Sequence, residues 1–445
     1  MAGPPLDDFG FHLSRSVLRH ALGAKTIYAL GRGILAMRRR AFSLRATSKV
    51  AEFALKETAR AFDAKNHVIW SSAFAPVEIL RSLGLTIFSP EAASAVFSAF
   101  GLAEKMLETA EESFHSRDTC TFHRVAMGAL LEGLYPQPDG LVASSHLCDG
   151  CPGLFRNVYN VYLESLFGKG SNTQPLPDQN RKPPYYIIDV PWGRLDDEAV
   201  RYTARQLEDM FYGLASCFGL SPDLDELKQA IRLSNEARTW AIRANELKRL
   251  RPCPVTAREV ADYVYVMFTG FGSRDAAEIY RTLYDEARER VKDGGSGPNP
   301  LSERYRILWL HLRPFYAGHL WGYLEDKLGV KIVFDEFSHI YWDELDPDYP
   351  FESLARKALS HPGHGPIERR VKTVLRLVED YQVDGVIHFS HWGCRQSAGG
   401  AVMIKDYLKK HGIPVLILDG DCIDRRNYAE GQTLTRLEGF IEMLG

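Results

Sequence analysis

Eight short apolar runs, four in each half of the chain, limit the possible folds more than any other feature of the sequence. The first four are His67-Val68-Ile69-Trp70, Leu85-Thr86-Ile87-Phe88, Leu141-Val142-Ala143-Ser144 and Tyr185-Tyr186-Ile187-Ile188-Asp189-Val190. The second four are Arg306-Ile307-Leu308-Trp309-Leu310, Val330-Lys331-Ile332-Val333-Phe334, Gly385-Val386-Ile387-His388-Phe389 and Val415-Leu416-Ile417-Leu418. Runs of this length, rich in β-branched and aromatic residues, read as buried strands. Stretches of helical periodicity lie between them, among them 120–133, 317–327, 367–380 and 397–411. Pro76-Val77-Glu78-Ile79-Leu80 opens a further helix, with Pro early, where its missing N–H costs nothing. Strands alternating with helices predict parallel sheets covered on both faces.

The fold class expected is α/β, with two doubly wound parallel-sheet domains (Rossmann or flavodoxin-like) facing one another. The chain has 445 residues, enough for two or three domains. Residues 1–60 read as an N-terminal helical arm, 61–194 as the first α/β domain, 195–300 as a helical connecting segment and 301–445 as the second α/β domain. Gly168 to Pro184 and Gly294 to Pro300 read as loops. In the arm, no acidic residue stands between Asp8 and Glu52, while nine Lys or Arg do. That stretch is either a solvated helical face or a docking surface for an acidic partner or anionic cofactor.

The balance of 54 basic against 57 acidic side chains calls for neither nucleic acid nor an anionic surface as partner. No apolar run reaches the roughly 18 residues of a membrane span. The amino end shows no short apolar core followed by a small-residue cleavage site, so a cytoplasmic location is expected. Seven cysteines are too few, and odd in number, for a disulfide scaffold.

Open parallel sheets bind ligands beyond the carboxyl ends of their strands. Cys148 and Cys151 follow the strand ending near Ser144, and Cys394 follows the strand ending near Phe389. Cys120 stands behind Asp118-Thr119, an expected N-cap, so it falls in the first turn of a helix. There the helix dipole is expected to lower its pKa. Three readings stay open at this level. The thiols are small buried residues at strand ends, or Cys148-Asp149-Gly150-Cys151 is a thiol–disulfide pair, or three thiols from distant segments hold one cubane iron–sulfur cluster. Zinc would need a second C-x-x-C or a His pair at ligand spacing, and the sequence shows no clear instance of either. Cys217 and Cys253 lie in helical territory, and Cys422 follows a strand as a spare candidate.

Several segments resemble the iron–sulfur component of the 2-hydroxyacyl-CoA dehydratase and benzoyl-CoA reductase family. Pro76-Val77-Glu78 with Gly84 is similar to its P-x-E helix, and Cys120 stands at the place of its first cluster cysteine. His146-Leu147-Cys148-Asp149-Gly150 is similar to its C-D-x segment, and Asp189-Val190-Pro191 to its D-V-P segment. Asp384-Gly385-Val386-Ile387 through Cys394 resembles the strand leading to its third cysteine. The end of the chain, Gly412-Ile413-Pro414 to Asp419 and Asp421 and then Gly431 to Phe440, carries the most specific likeness. The resemblance runs from about 65 to 445, and Cys151 is an addition to the family pattern.

The resemblance implies a [4Fe-4S] cluster held by Cys120, Cys148 and Cys394, with Cys151 as an alternative ligand to Cys148. A double-cubane [8Fe-9S] cluster is the variant of one branch. It implies one-electron transfer from an ATP-hydrolysing iron–sulfur activator protein, elimination of water from an acyl-CoA thioester, and pairing with a related dehydratase subunit or with a second copy. The same resemblance admits an ATP-dependent reductase or a non-catalytic relay paralogue. Glu78 is then an acid or base toward the leaving hydroxyl, or simply an acid favouring a helix amino end. His146 and His391 flank cluster cysteines and would hydrogen-bond their sulfurs, or are satisfied polar side chains of the core.

Overall fold

The eight runs form eight strands, each within two residues of its expected start. The computed structural model describes residues 44–113, 115–167, 183–294 and 303–445, with backbone alone at 162–167. Strands β1 (Val68–Ser71), β2 (Thr86–Phe88), β3 (Gly140–Ser144) and β4 (Tyr185–Ile188) make one sheet in the order β2-β1-β3-β4. Strands β5 (Tyr305–Leu310), β6 (Val330–Asp335), β7 (Gly385–His391) and β8 (Val415–Gly420) make a second sheet in the equivalent order β6-β5-β7-β8. Every pairing is parallel. Strand order reverses between β1 and β3, and again between β5 and β7. Those two points are where an open α/β sheet leaves a crevice.

The strand residues alternate between two apolar cores, and each core runs through both lobes. Ile69, Val142 and Ile188 share one core with Leu308, Leu310 and Val386. Trp70, Leu141 and Ala143 share the other with Ile307, Trp309 and Phe389. A side-chain period of two explains the division, since neighbouring residues point to opposite sheet faces. The helices Asp197–Phe218, Leu224–Leu247 and Arg274–Lys292 supply Phe211, Ile231 and Leu283 to the first core. The helical segment is thus shared packing for both sheets.

Several sequence expectations shift in detail. The helix expected over 397–411 is two helices, Arg395–Ala398 and Ala401–Lys410, interrupted at Gly399-Gly400. Two adjacent glycines weaken a helix, and a Cβ at Gly400 would lie 2.8 Å from Ile367. The helix Pro350–Leu359, with Pro at its first position, was not expected. Of the basic arm, the described part is the helix Arg45–Ala61. Its amino end is capped by the Glu286 carboxylate, which accepts from the Arg45 and Ala46 N–H groups at 2.8 and 2.9 Å. Arg45 and Lys49 are ion-paired within the chain, to Glu286 and Glu278. The rest of the arm, to residue 43, and most of the loops expected at 168–184 and 294–300 lie outside the described residues. Among the described residues, no helix is long and apolar enough to cross a membrane.

Candidate active site

A cleft of about 2210 Å³ opens between the carboxyl edges of the two sheets. Cys148 reaches it from the loop after β3, and Cys394 from the loop after β7. Cys120 reaches it from just before the helix Thr121–Leu131. It is the N-cap of that helix, not a first-turn residue, and its side chain makes no capping bond. Backbone shape brings these segments together. Gly393 has φ +73°, and a Cβ there would lie 3.0 Å from both Cα and N of Cys120. Glycine therefore lets the β7 loop close onto Cys120. Leu147 (φ +66°) and His311 (φ +68°) take the left-handed conformation beside the cleft, which costs a non-glycine residue about 1–3 kcal/mol. An Arg395–Asp149 ion pair at 3.0 Å links the Cys394 loop to the Cys148 loop.

Each of the three thiols is half-buried. Burial pushes the Cys120 thiol well up, and the neighbouring Cys394 and Cys148 sulfurs push it further. A backbone hydrogen bond from Phe122, at the helix start, acts in the expected downward direction and is outweighed. Burial and the Cys394 charge likewise push Cys148 up to about 12. Negative charge on one sulfur opposes charge on the others. Among the described residues, no three His, Cys, Asp or Glu side chains meet closely enough to hold a single ion.

Two imidazoles of the second lobe touch these sulfurs. His391 Nε2 lies 3.5 Å from Cys120 Sγ, and its Nδ1 accepts from the Cys422 N–H at 3.1 Å. A backbone N–H can only donate, so Nδ1 is the acceptor nitrogen and Nε2–H points at the sulfur. His311 Nε2 lies 3.7 Å from Cys394 Sγ. His146 is buried among rings, edge-on to Phe74, His361 and His364, and neither of its nitrogens has a hydrogen-bond partner among the described residues.

Three of the carboxylates that line the cleft, Glu78, Glu336 and Glu91, stand in different states. Glu78 is fully buried, and its Oε1 accepts from Lys357 Nζ at 2.6 Å and Ser234 Oγ at 2.9 Å. Burial raises its pKa, but the Lys357 charge and hydrogen bond outweigh this and hold the carboxyl below its usual range. Its Oε2 has no hydrogen-bond partner among the described residues. Glu336, after β6, takes a two-pronged bond from Arg370 at 2.6 and 2.7 Å. Burial works against its charge, yet Arg370 holds it down at about 2. Glu91, after β2, has no such cation among the described residues. Burial pushes it up to about 7, with Cys151 Sγ–H donating to its Oε1 at 3.6 Å.

The remaining cysteines separate by place. Cys151 begins the helix Cys151–Phe167 and is buried at the cleft wall. Cys422 is fully buried, its thiol near the Leu312 carbonyl at 3.8 Å. Cys253 is buried and bonds the Val255 carbonyl, and Cys217 lies on the helix Asp197–Phe218. Sequence reasoning missed Glu91, His311 and the Glu336–Arg370 pair. Each of Glu91, His311 and Glu336 sits one to three residues past the carboxyl end of a strand, the signal already used for Cys148 and Cys394.

A family model described as 2-hydroxyglutaryl-CoA dehydratase, D-component, matches residues 72–444. The (R)-phenyllactyl-CoA dehydratase alpha subunit of Clostridium sporogenes is 24% identical over 393 residues, 84% of this chain and 89% of that protein. A benzoyl-CoA reductase subunit of Thauera aromatica is 25% identical over 362 residues, 76% of this chain and 79% of that protein. The alpha subunit of (R)-2-hydroxyglutaryl-CoA dehydratase from Acidaminococcus fermentans is 24% identical over 475 residues, 90% of this chain and 96% of that protein. With so much of its length matched, and its two lobes closing on one cysteine-lined cleft, this chain belongs to the 2-hydroxyglutaryl-CoA dehydratase D-component family.

Proposed function

We propose that this chain is the iron–sulfur subunit of an enzyme that removes water from a 2-hydroxyacyl-CoA thioester. One observation carries the reading: Cys120, Cys148 and Cys394, from segments far apart in sequence, line one cleft between the lobes. A cubane binds its cysteines on separate irons, so its sulfurs stand around it and need not meet at a point. The mutual opposition of the thiolates is what a cationic cluster would relieve. Cys120, Cys148 and Cys394 would therefore hold a [4Fe-4S] cluster, with Cys151 left to its bond with Glu91. Dehydratase alpha subunits among the relatives support both the substrate class and a companion subunit.

When bound, such a cluster supplies single low-potential electrons, delivered by an ATP-hydrolysing activator. The protein residues do the rest. The two lobes enclose the thioester and limit water. His391 Nε2–H and His311 Nε2 face the Cys120 and Cys394 sulfurs and fix their orientation. Glu91, pushed up to about 7, is partly protonated near neutral pH and would pass its proton to the departing hydroxyl. Glu78, anchored by Lys357, is a fixed negative charge that positions its neighbours, its free Oε2 turned to no described protein donor.

Anaerobic reconstitution tests this directly. Iron and acid-labile sulfide near four per chain, with a reduced-state paramagnetic signal, is the expected result. Turnover of a 2-hydroxyacyl-CoA, supplied with activator, ATP and companion subunit, completes it. Protein that stays colourless and iron-free sinks the proposal. The similarity to a benzoyl-CoA reductase subunit favours a second reading, reduction of an acyl thioester by the same cluster. Formation of a reduced, still hydroxylated or ring-reduced product would select it. Iron near eight per chain would select the double-cubane form.

A further inference from the structure

The cleft wall between the Cys148 and Cys394 loops is built from rings. Phe74 follows β1 and meets Phe268 edge-on, centroids 5.1 Å apart and planes at 70°. Phe268 meets Phe337 at 5.8 Å and 78°, and Phe337 meets His311 at 5.7 Å. On the other side Phe74 meets His361 at 5.9 Å, which meets Tyr341 at 4.4 Å. Phe74, Phe268, Phe337, Tyr341 and His361 all line the cleft and are half-buried, so part of each ring faces its interior. Burial holds His361 down at about 3, so its imidazole is an uncharged ring at neutral pH.

Among the described residues, every Lys and Arg of the cleft lining has a carboxylate beside it. Arg124, Arg313, Lys357, Arg370 and Arg395 each have a carboxylate within 3.0 Å: Glu111, Asp262, Glu78, Glu336 and Asp149. A second carboxylate on the substrate, buried in the cleft, would find Arg124, Lys357 and Arg370 already paired there, and a buried unpaired charge is costly. Edge-to-face ring arrays instead favour insertion of another ring, whose positive edge meets a negative face.

From the ring wall and the paired cations we propose that the acyl group taken by this cleft is aromatic, and that Phe74, Phe268 and Phe337 select it. The proposal rests on the thioester reading above. The test is equilibrium binding of three unreactive thioesters to the iron-loaded chain: cinnamoyl-CoA, crotonyl-CoA and glutaconyl-CoA. Cinnamoyl-CoA is expected to bind about tenfold more tightly than crotonyl-CoA, with glutaconyl-CoA the weakest. Phe268→Leu and Phe337→Leu keep apolar volume but remove a ring, and each should weaken cinnamoyl-CoA binding severalfold more than crotonyl-CoA binding, eroding that preference. Equal affinity for the three, or a preference for glutaconyl-CoA, overturns the aromatic assignment and leaves the thioester reading standing. No binding of any of them overturns both.

Discussion

The two lobes share one strand order and differ in what stands past the ends of their strands. Glu91 and Glu336 follow topologically equivalent edge strands, β2 and β6. The second-lobe carboxylate is locked to Arg370 and held at about 2, while the first-lobe carboxyl has no described cation beside it and is pushed up to about 7. The second lobe also supplies both imidazoles that touch the cleft sulfurs. Two of the three thiols come from the first lobe. One scaffold is thus used twice, once for a fixed charge and two imidazoles, once for two thiols and a carboxyl whose pKa lies near 7. Topology sets where a residue stands; its neighbours set what it can do.

The largest test of this division concerns the thiols. If they are the three cluster ligands proposed above, Cys120→Ser, Cys148→Ser and Cys394→Ser should each bring iron after anaerobic reconstitution to about one-tenth or less of wild type. Cys151→Ser and Cys422→Ser should retain it. A Cys148→Ser protein that keeps its iron while Cys151→Ser loses it would reassign the ligand.

Next comes the second-lobe carboxylate. Glu336→Gln leaves Arg370 buried without its anion, and chemical denaturation should show a loss of about 3 kcal/mol at pH 7. The sign with pH is fixed. Glu336 has its pKa depressed to about 2 in the folded chain, so its contribution is full above its ordinary 4.5 and fades as pH falls toward 2. Variant and wild type should converge at low pH.

The first-lobe carboxyl should behave in the opposite sense. With Glu91 near 7 when folded and near 4.5 when unfolded, the folded chain binds the extra proton, so stability falls as pH rises through that window. Glu91→Gln should match wild type at pH 4 and exceed it at pH 8 by up to about 3 kcal/mol in the cluster-free chain. Like behaviour of both carboxylate variants would erase the contrast between the lobes.

The smallest effect concerns His391. Replacing it by Phe removes the Nε2–H donor to Cys120 while keeping a ring against Phe122. Redox titration should then show a lower midpoint potential, since one hydrogen bond to a ligand sulfur is lost. Unchanged potential with unchanged iron would mean that His391 only packs.

Much of the architecture was legible in the residues. Strand positions and parallel pairing followed from apolar runs alternating with helical periods, and the cleft-facing places of Cys148 and Cys394 followed from their distance past a strand. The thiol chemistry of Cys120 did not. The helix start was read correctly to one residue, but burial and two neighbouring sulfurs outweigh the helix, and neither is visible locally. Glu78 drew attention by its motif, and its Lys357 partner could not be seen. Glu91 was not singled out, because its burial away from any described cation comes from the tertiary packing.

Periodicity is local, so the sequence by itself determined the two sheets, their parallel sense and the edge at which a site would open. Contacts are not local. Cys120 meets His391 across 271 residues, and Glu78 meets Lys357 across 279. Only the tertiary structure decided which sulfurs share a cleft and which carboxylate keeps its proton, because desolvation and charge pairing depend on what folding brings within a few ångströms.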